Sequence, residues 1–115
     1  TYEYVKSNWR LKMFGKILNF KFTSISEAKL AASFCSEKFG SKISEYNIVG
    51  LNIFISQSGD LNVSIKFENP DALKSFESNY LNIIADLKGS LVFKENNFVG
   101  VCTFTYEKEA SSTEM

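Results

Sequence analysis

The residues able to do chemistry in this 115-residue chain are few, and the missing ones narrow the options first. There is no histidine, which removes the imidazole base of a nucleophilic triad, the commonest metal ligand and the side chain that titrates near neutrality. Two cysteines, Cys35 and Cys102, make no zinc pattern without histidine, and Asp60 with scattered glutamates lacks the spacing of a calcium loop. No metal and no cofactor is therefore expected. Glycines occur singly at positions 15, 40, 50, 59, 89 and 100, so none forms a phosphate-cradling loop.

Acid–base work by paired carboxylates would fall to Asp60, Glu68, Asp71 and Glu77. Asp60 lies in a turn pattern, Asp71 in a helical first turn, and Glu77 three residues after Lys74; structural or solvated charges commonly occupy such positions. Cys35 has no base to deprotonate it and falls on an apolar stripe. Both cysteines are expected to be reduced and at least partly buried. Asn62, Val63 and Ser64 spell a glycosylation acceptor, but they sit inside a strand pattern. No catalytic residue is nominated on these grounds.

The elements that must position any site are more legible. Ser24 and Glu27 have capping-box spacing, Gly40 reads as a left-handed stop, and Ile25, Ala28, Ala31, Ala32, Cys35 and Phe39 supply a buried stripe. A second helix opens with Asn69, Pro70 and Asp71, carries Leu73, Phe76, Tyr80, Ile84 and Leu87 at three- and four-residue steps, and ends at Gly89. Between the helices, Val49, Leu51, Ile53 and Ile55 alternate with Gly50, Asn52, Phe54 and Ser56. After the turn at Ser58, Gly59 and Asp60, the alternation resumes with Leu61, Val63, Ile65 and Phe67, which makes a hairpin. Asn96 and Asn97 predict a second hairpin between residues 90–94 and 98–106. Trp9, Leu11 and Met13 alternate in odd register, whereas Leu18, Phe20 and Phe22 alternate in even register. The slip near Gly15 predicts a glycine bulge, with a short hairpin as the alternative.

The order strand, helix, hairpin, helix, hairpin describes an α+β domain with a ferredoxin-like βαββαβ core. Two helices lie on one face of an antiparallel sheet, with an extra C-terminal strand. Residues 1–108 are read as one domain and residues 109–115 as a polar tail. Such a sheet leaves one face open, to which Asn19, Lys21, Asn52, Asn62, Ser64 and Lys66 are assigned, interrupted by Phe54.

The stretch Val63-Ser64-Ile65-Lys66-Phe67-Glu68-Asn69-Pro70-Asp71-Ala72-Leu73 resembles the third strand and second-helix start of an RNA-recognition motif, a module with the same element order. The resemblance implies that bases would stack on aromatic residues at positions 62 and 64. Those positions hold Asn62 and Ser64, so it implies shared topology and not a shared ligand.

Hydrophobic residues make up 44% of the chain and charged residues 23%, a globular balance, and the 13 basic residues equal the 13 acidic ones. Balanced charge offers no long-range attraction for nucleic acid or anionic lipid, so neither is expected as a partner. The longest apolar runs, such as residues 53–55, fall far short of the roughly 20 residues of a spanning helix. A cytoplasmic location is expected. Eleven phenylalanines exceed what two helices can be expected to cover. The reading that follows is a non-enzymatic interaction or assembly module that binds itself or another protein through Trp9, Leu11, Phe14, Phe54, Phe98, Phe104 and Tyr106. Two rivals stand beside it: a degenerate RNA-recognition-type binder, and a small enzyme using lysine, tyrosine or carboxylates in a cleft.

Overall fold

The computed structural model of the chain describes residues 13–108. Trp9, Leu11 and the tail at 109–115 lie outside the described residues. The elements are β1 (Phe14–Lys21), α1 (Ile25–Gly40), β2 (Ile48–Ile55), β3 (Asp60–Phe67), α2 (Pro70–Ile83), α3 (Ala85–Ser90) and β4 (Lys94–Val101). The strands pair antiparallel in the order β2-β3-β1-β4, and the helices cover one face, as in ferredoxin-like α+β folds.

Local capping starts both long helices. Ser24 is extended and its hydroxyl accepts from the Glu27 N–H at 3.3 Å, while the Glu27 carboxylate reaches back to Thr23. Asn69 accepts from the Ala72 N–H at 2.9 Å, and Pro70 occupies the first turn, where its missing donor costs nothing. Ala28, Ala31, Cys35 and Phe39 of α1 are buried, as the stripe predicts. Gly40 is the last residue of α1, but among the described glycines only Gly59 takes a positive φ, so the left-handed stop is not used. The second helix is interrupted: Ile84, at φ −104° and ψ 14°, separates α2 from α3, and Gly89 lies inside α3. Ile84 and Leu87 are still buried, so the apolar stripe continues through the break.

Two expectations about the strands are corrected. Gly15 pairs in regular register with Lys66 on one side and Gly100 on the other, leaving neither bulge nor hairpin there. The irregularity lies in β2, between Ile48 and Gly50, and leaves Val49 52% exposed. Next to it, Gly50 lies close under the Lys66 side chain, where an added Cβ would come 3.2 Å from Cε. The second hairpin does not form either. β4 runs straight through Asn96 and Asn97, which pair with Asn19 and Leu18. Asparagine tolerates a turn without requiring one, and the edge of β1 offers eight residues of ladder instead. Residues 102–108 follow without strand structure, so the described sheet has four strands and no fifth.

The helix-facing residues of the two central strands, including Leu18, Phe20, Val63, Ile65 and Phe67, pack against α1 and α2. Phe76 is the hub, with ring centroids of Phe39, Tyr46, Phe67 and Tyr80 between 5.1 and 6.1 Å away. A second aromatic group joins Phe20, Phe22 and Phe93. Most of the phenylalanines are thus enclosed; Phe54, Phe98 and Phe104 are the exposed ones.

Candidate active site

α1 covers β2 and β3, and α2 covers β1 and β3, so the helix-facing side of the edge strand β4 extends past the helices. That side carries Glu95, Asn97 and Val99, which register opposite Phe20, Leu18 and Lys16 of β1. Beside the overhang several ionisable groups from different elements meet. Lys16 is the one polar or charged residue buried among those described, at 5% exposure. Its ammonium lies 3.1 Å from the Glu77 carboxylate and 5.0 Å from the centroid of the Tyr80 ring. Glu77 and Tyr80 are three residues apart on α2, the spacing that brings both over the same point of the sheet.

The Tyr80 hydroxyl donates to Glu95 Oε2, to which Asn97 Nδ2 also donates at 3.1 Å. Lys88 of α3 completes the shell with an ion pair of 3.2 Å to Glu95 Oε1. Burial alone would raise the pKa of Glu95, but the hydrogen bonds from Tyr80, Asn97 and Lys88 outweigh it and hold the carboxyl below its ordinary range. Tyr80 moves the opposite way: burial, then its bond to Glu95 and the charge there, keep the phenol well above its usual range. The arrangement at neutral pH is therefore a carboxylate held by a neutral phenol and a cation.

A cleft of about 320 Å³ opens beside it, lined by Lys88, Leu91, Val92, Phe93 and Glu95. One wall is apolar, from the connection between α3 and β4, and the other presents a cation and a carboxylate. Among the lining side chains Glu95 is the carboxylate and Lys88 the cation, 3.2 Å apart.

The depressed Glu95 also enters the stability balance. A carboxyl whose folded value lies below its unfolded one adds stability above the unfolded value and loses it as pH falls through the folded one. Resistance to urea is therefore expected to weaken as pH drops below about 4.3, and less steeply in Glu95→Gln than in the parent. Parallel curves would remove Glu95 from this account.

The residues nominated from sequence are scattered. Phe14 packs against the core, whereas Phe54 and Phe98 are exposed on the open face, on the opposite edge strands β2 and β4. Phe54, Asn62, Asn19 and Asn96 form one row across the sheet, and Asn52, Ser64, Ile17 and Phe98 form another. Asn62 donates to Asn19 and accepts from Ser64, both at 2.8 Å, so an amide network occupies the place of stacking aromatics. Phe104 and Tyr106 are exposed on the segment after β4, which Lys66 ties to this face through Thr105 at 3.2 Å and Glu107 at 3.9 Å. Asp60 is bound by Lys21, Ser56 and Ser58, and Glu77 by Lys16, so those carboxylates do not meet as an acid–base pair. Cys35 is buried and its thiol is pushed up to about 12 by burial; it and the partly buried Cys102 are both free.

Lys16, Tyr80, Lys88 and Glu95 were not singled out as site residues from sequence. Lys16 carried the clearest signal, because the even register of Leu18, Phe20 and Phe22 extends back to it and places a cation on an apolar face. In sequence Tyr80 reads as part of a core stripe, and the turn that Asn96 and Asn97 suggest hides Glu95.

No family model and no curated protein matches the chain. Solved structures do. A dimeric ferredoxin-like protein from an uncultured marine organism is 17% identical over 84% of this chain and 99% of its own, with a TM-score of 0.67. A monooxygenase of Streptomyces coelicolor, solved in complex with nanaomycin D, is 11% identical over 85% and 94%, with a TM-score of 0.65. A cofactor-independent oxygenase of Streptomyces nogalater is 8% identical over 84% and 99%, with a TM-score of 0.58. Identities this low establish the ferredoxin-like fold. They also overturn the reading of a non-enzymatic assembly module, because oxygenases share this architecture and the lack of a recognisable motif is no argument against catalysis in it. Among the described residues, no helix is long and apolar enough to cross a membrane.

Proposed function

We propose that the protein is a small oxygenase that acts on a compact, apolar substrate bearing an acidic hydroxyl, in the cleft beside Glu95. The observation that carries this reading is the Tyr80–Glu95–Lys88 arrangement on the uncovered side of β4, facing an apolar wall. Two oxygenases among the fold neighbours support the reaction class. An electron-rich ring hydroxyl becomes a far better reductant of oxygen once deprotonated. When such a substrate supplies the electrons itself, one oxygen atom enters at a ring carbon and the other leaves as water. The ring C–H and the hydroxyl both end as carbonyls. Glu95 would take the hydroxyl proton as the incoming ligand loosens its bonds to Lys88 and Asn97, and Lys88 would hold the resulting anion.

The working species is taken to be a homodimer, as the marine ferredoxin-like neighbour is dimeric. Exposed Phe54, Phe98, Phe104 and Tyr106 on the open-face side supply apolar area for a second copy. Two free cysteines accord with a cytoplasmic setting.

Oxygen uptake with a panel of hydroxylated aromatic compounds, read together with incorporation of labelled oxygen and the mass of the active species, tests the proposal. Turnover should fall by about 100-fold in Glu95→Gln, the lower end of the range for a lost acid–base group. Equal turnover in that variant would move the chemistry away from this cleft. No uptake across the panel would sink the reaction class.

A further inference from the structure

Lys16 lies between Phe14 and Leu18 on the helix-facing side of β1, where a leucine or methionine would pack without the penalty of burying a charge. It does not line the Glu95 cleft, and its ion-pair partner is Glu77, 42% exposed at its side chain. Tyr80 connects the two places. Its ring rests over the Lys16 ammonium and its hydroxyl bonds Glu95, so one side chain is held at its ring by the cation and at its tip by the carboxylate.

We infer that Lys16 is a positioning residue for the Glu95 cleft: without touching a ligand, it fixes the Tyr80 ring so that the phenol presents Glu95 to the cleft. The inference rests on the reading of that cleft as the reacting site. Among the described residues, the groups that face this unit are Glu77 and Tyr80 from α2, Lys88 from α3, Asn97 from β4 beside Glu95, Lys16 from β1, and the Cys35 thiol of α1. Among the described residues only Lys16 contacts the tyrosine ring as a charge; Lys88 and Asn97 bond the carboxylate directly and would keep doing so if the ring moved.

The test is a carboxyl NMR titration of Glu95 in the full chain. Lys16→Met keeps the length of the side chain, removes a buried charge and leaves Glu77 at the surface, so the fold should be retained. The Glu95 midpoint is expected to rise in Lys16→Met, because a loosened Tyr80 bonds the carboxylate less well, and to rise in Tyr80→Phe, which removes that bond outright. The double variant decides the route: its midpoint should match that of Tyr80→Phe alone. An unmoved midpoint in Lys16→Met overturns the inference. So does an added rise in the double variant, which would mean that Lys16 acts through its field and not through the ring. If Lys16→Met fails to fold, Lys16→Gln keeps a polar head for Glu77 while removing the cation from the Tyr80 ring and should raise the midpoint likewise, with no rise counting against the inference. Where oxygen turnover is found, Lys16→Met should lower kcat about tenfold, within the scale of misplacement effects, with KM little changed. Absence of turnover in the parent would fail the functional reading while leaving the titration to decide the role of Lys16.

Discussion

Phe76→Ala is expected to destabilise the protein by about 3–5 kcal/mol, the range for emptying a buried phenylalanine site. The ring is fully buried and touches four other aromatic rings, contributed by α1, the loop before β2, β3 and α2 itself. Because those partners come from separate elements, no single one can shift to fill the space without leaving another. The residual cavity should therefore persist, which places the cost toward the upper part of the range. Against the roughly 5–15 kcal/mol that hold a domain of this kind together, such a loss lowers the melting temperature by about 10 to 20 °C. Thermal unfolding followed by near-ultraviolet circular dichroism is the measurement. A change below about 1 kcal/mol would mean that the four rings close over the site, and that Phe76 is not the hub that the geometry makes it.

Gly59→Ala is the second large effect. Gly59 has φ of 93°, and a Cβ there would lie 2.9 Å from the Phe22 carbonyl oxygen and 3.1 Å from that of Ser24. Both are backbone atoms, so neither can swing aside. The Gly59 carbonyl meanwhile accepts from the Phe22 N–H at 2.9 Å, which fastens the β2–β3 turn to the exit of β1 beside the cap of α1. Positive φ costs an alanine about 1–3 kcal/mol by itself, and the contact adds to that, so a loss of at least about 2 kcal/mol is expected. Gly40→Ala is the control: its Cβ would meet nothing within 4 Å, and alanine is the better helix former. Urea midpoints that fall for position 59 and hold or rise for position 40 fit this account. Equal behaviour at the two positions would overturn it.

What was legible in the sequence was local. Asn69 and Pro70 announce a helix because capping needs only neighbouring residues, and the alternation of Leu61, Val63, Ile65 and Phe67 survives intact because β3 pairs on both sides. Features set by distant partners were not. Asn96 and Asn97 look like a turn until the edge of β1 is seen to be available to them. Val49 looks like a core residue until the bulge against Phe67 and Lys66 turns it outward. Glu77 reads as the neighbour of Lys74 on its own helix, whereas its partner is Lys16, across 61 positions of sequence. The site is the extreme case, since Lys16, Tyr80, Lys88 and Glu95 come from four elements and share no spacing that a linear reading can detect.

The connection of residues 91–93 between α3 and β4 bears on how such a protein diversifies. Phe93 is rooted among Phe20 and Phe22, whereas Val92 is 86% exposed and forms part of the cleft wall. The wall of the proposed site is thus anchored at one end and exposed in the middle, while the carboxylate and its tyrosine stand on regular elements. Exchanges at Val92 would reshape the cavity without drawing on the stability reserve of the sheet. A lineage could change what it accepts through that one connector and inherit the chemistry unaltered.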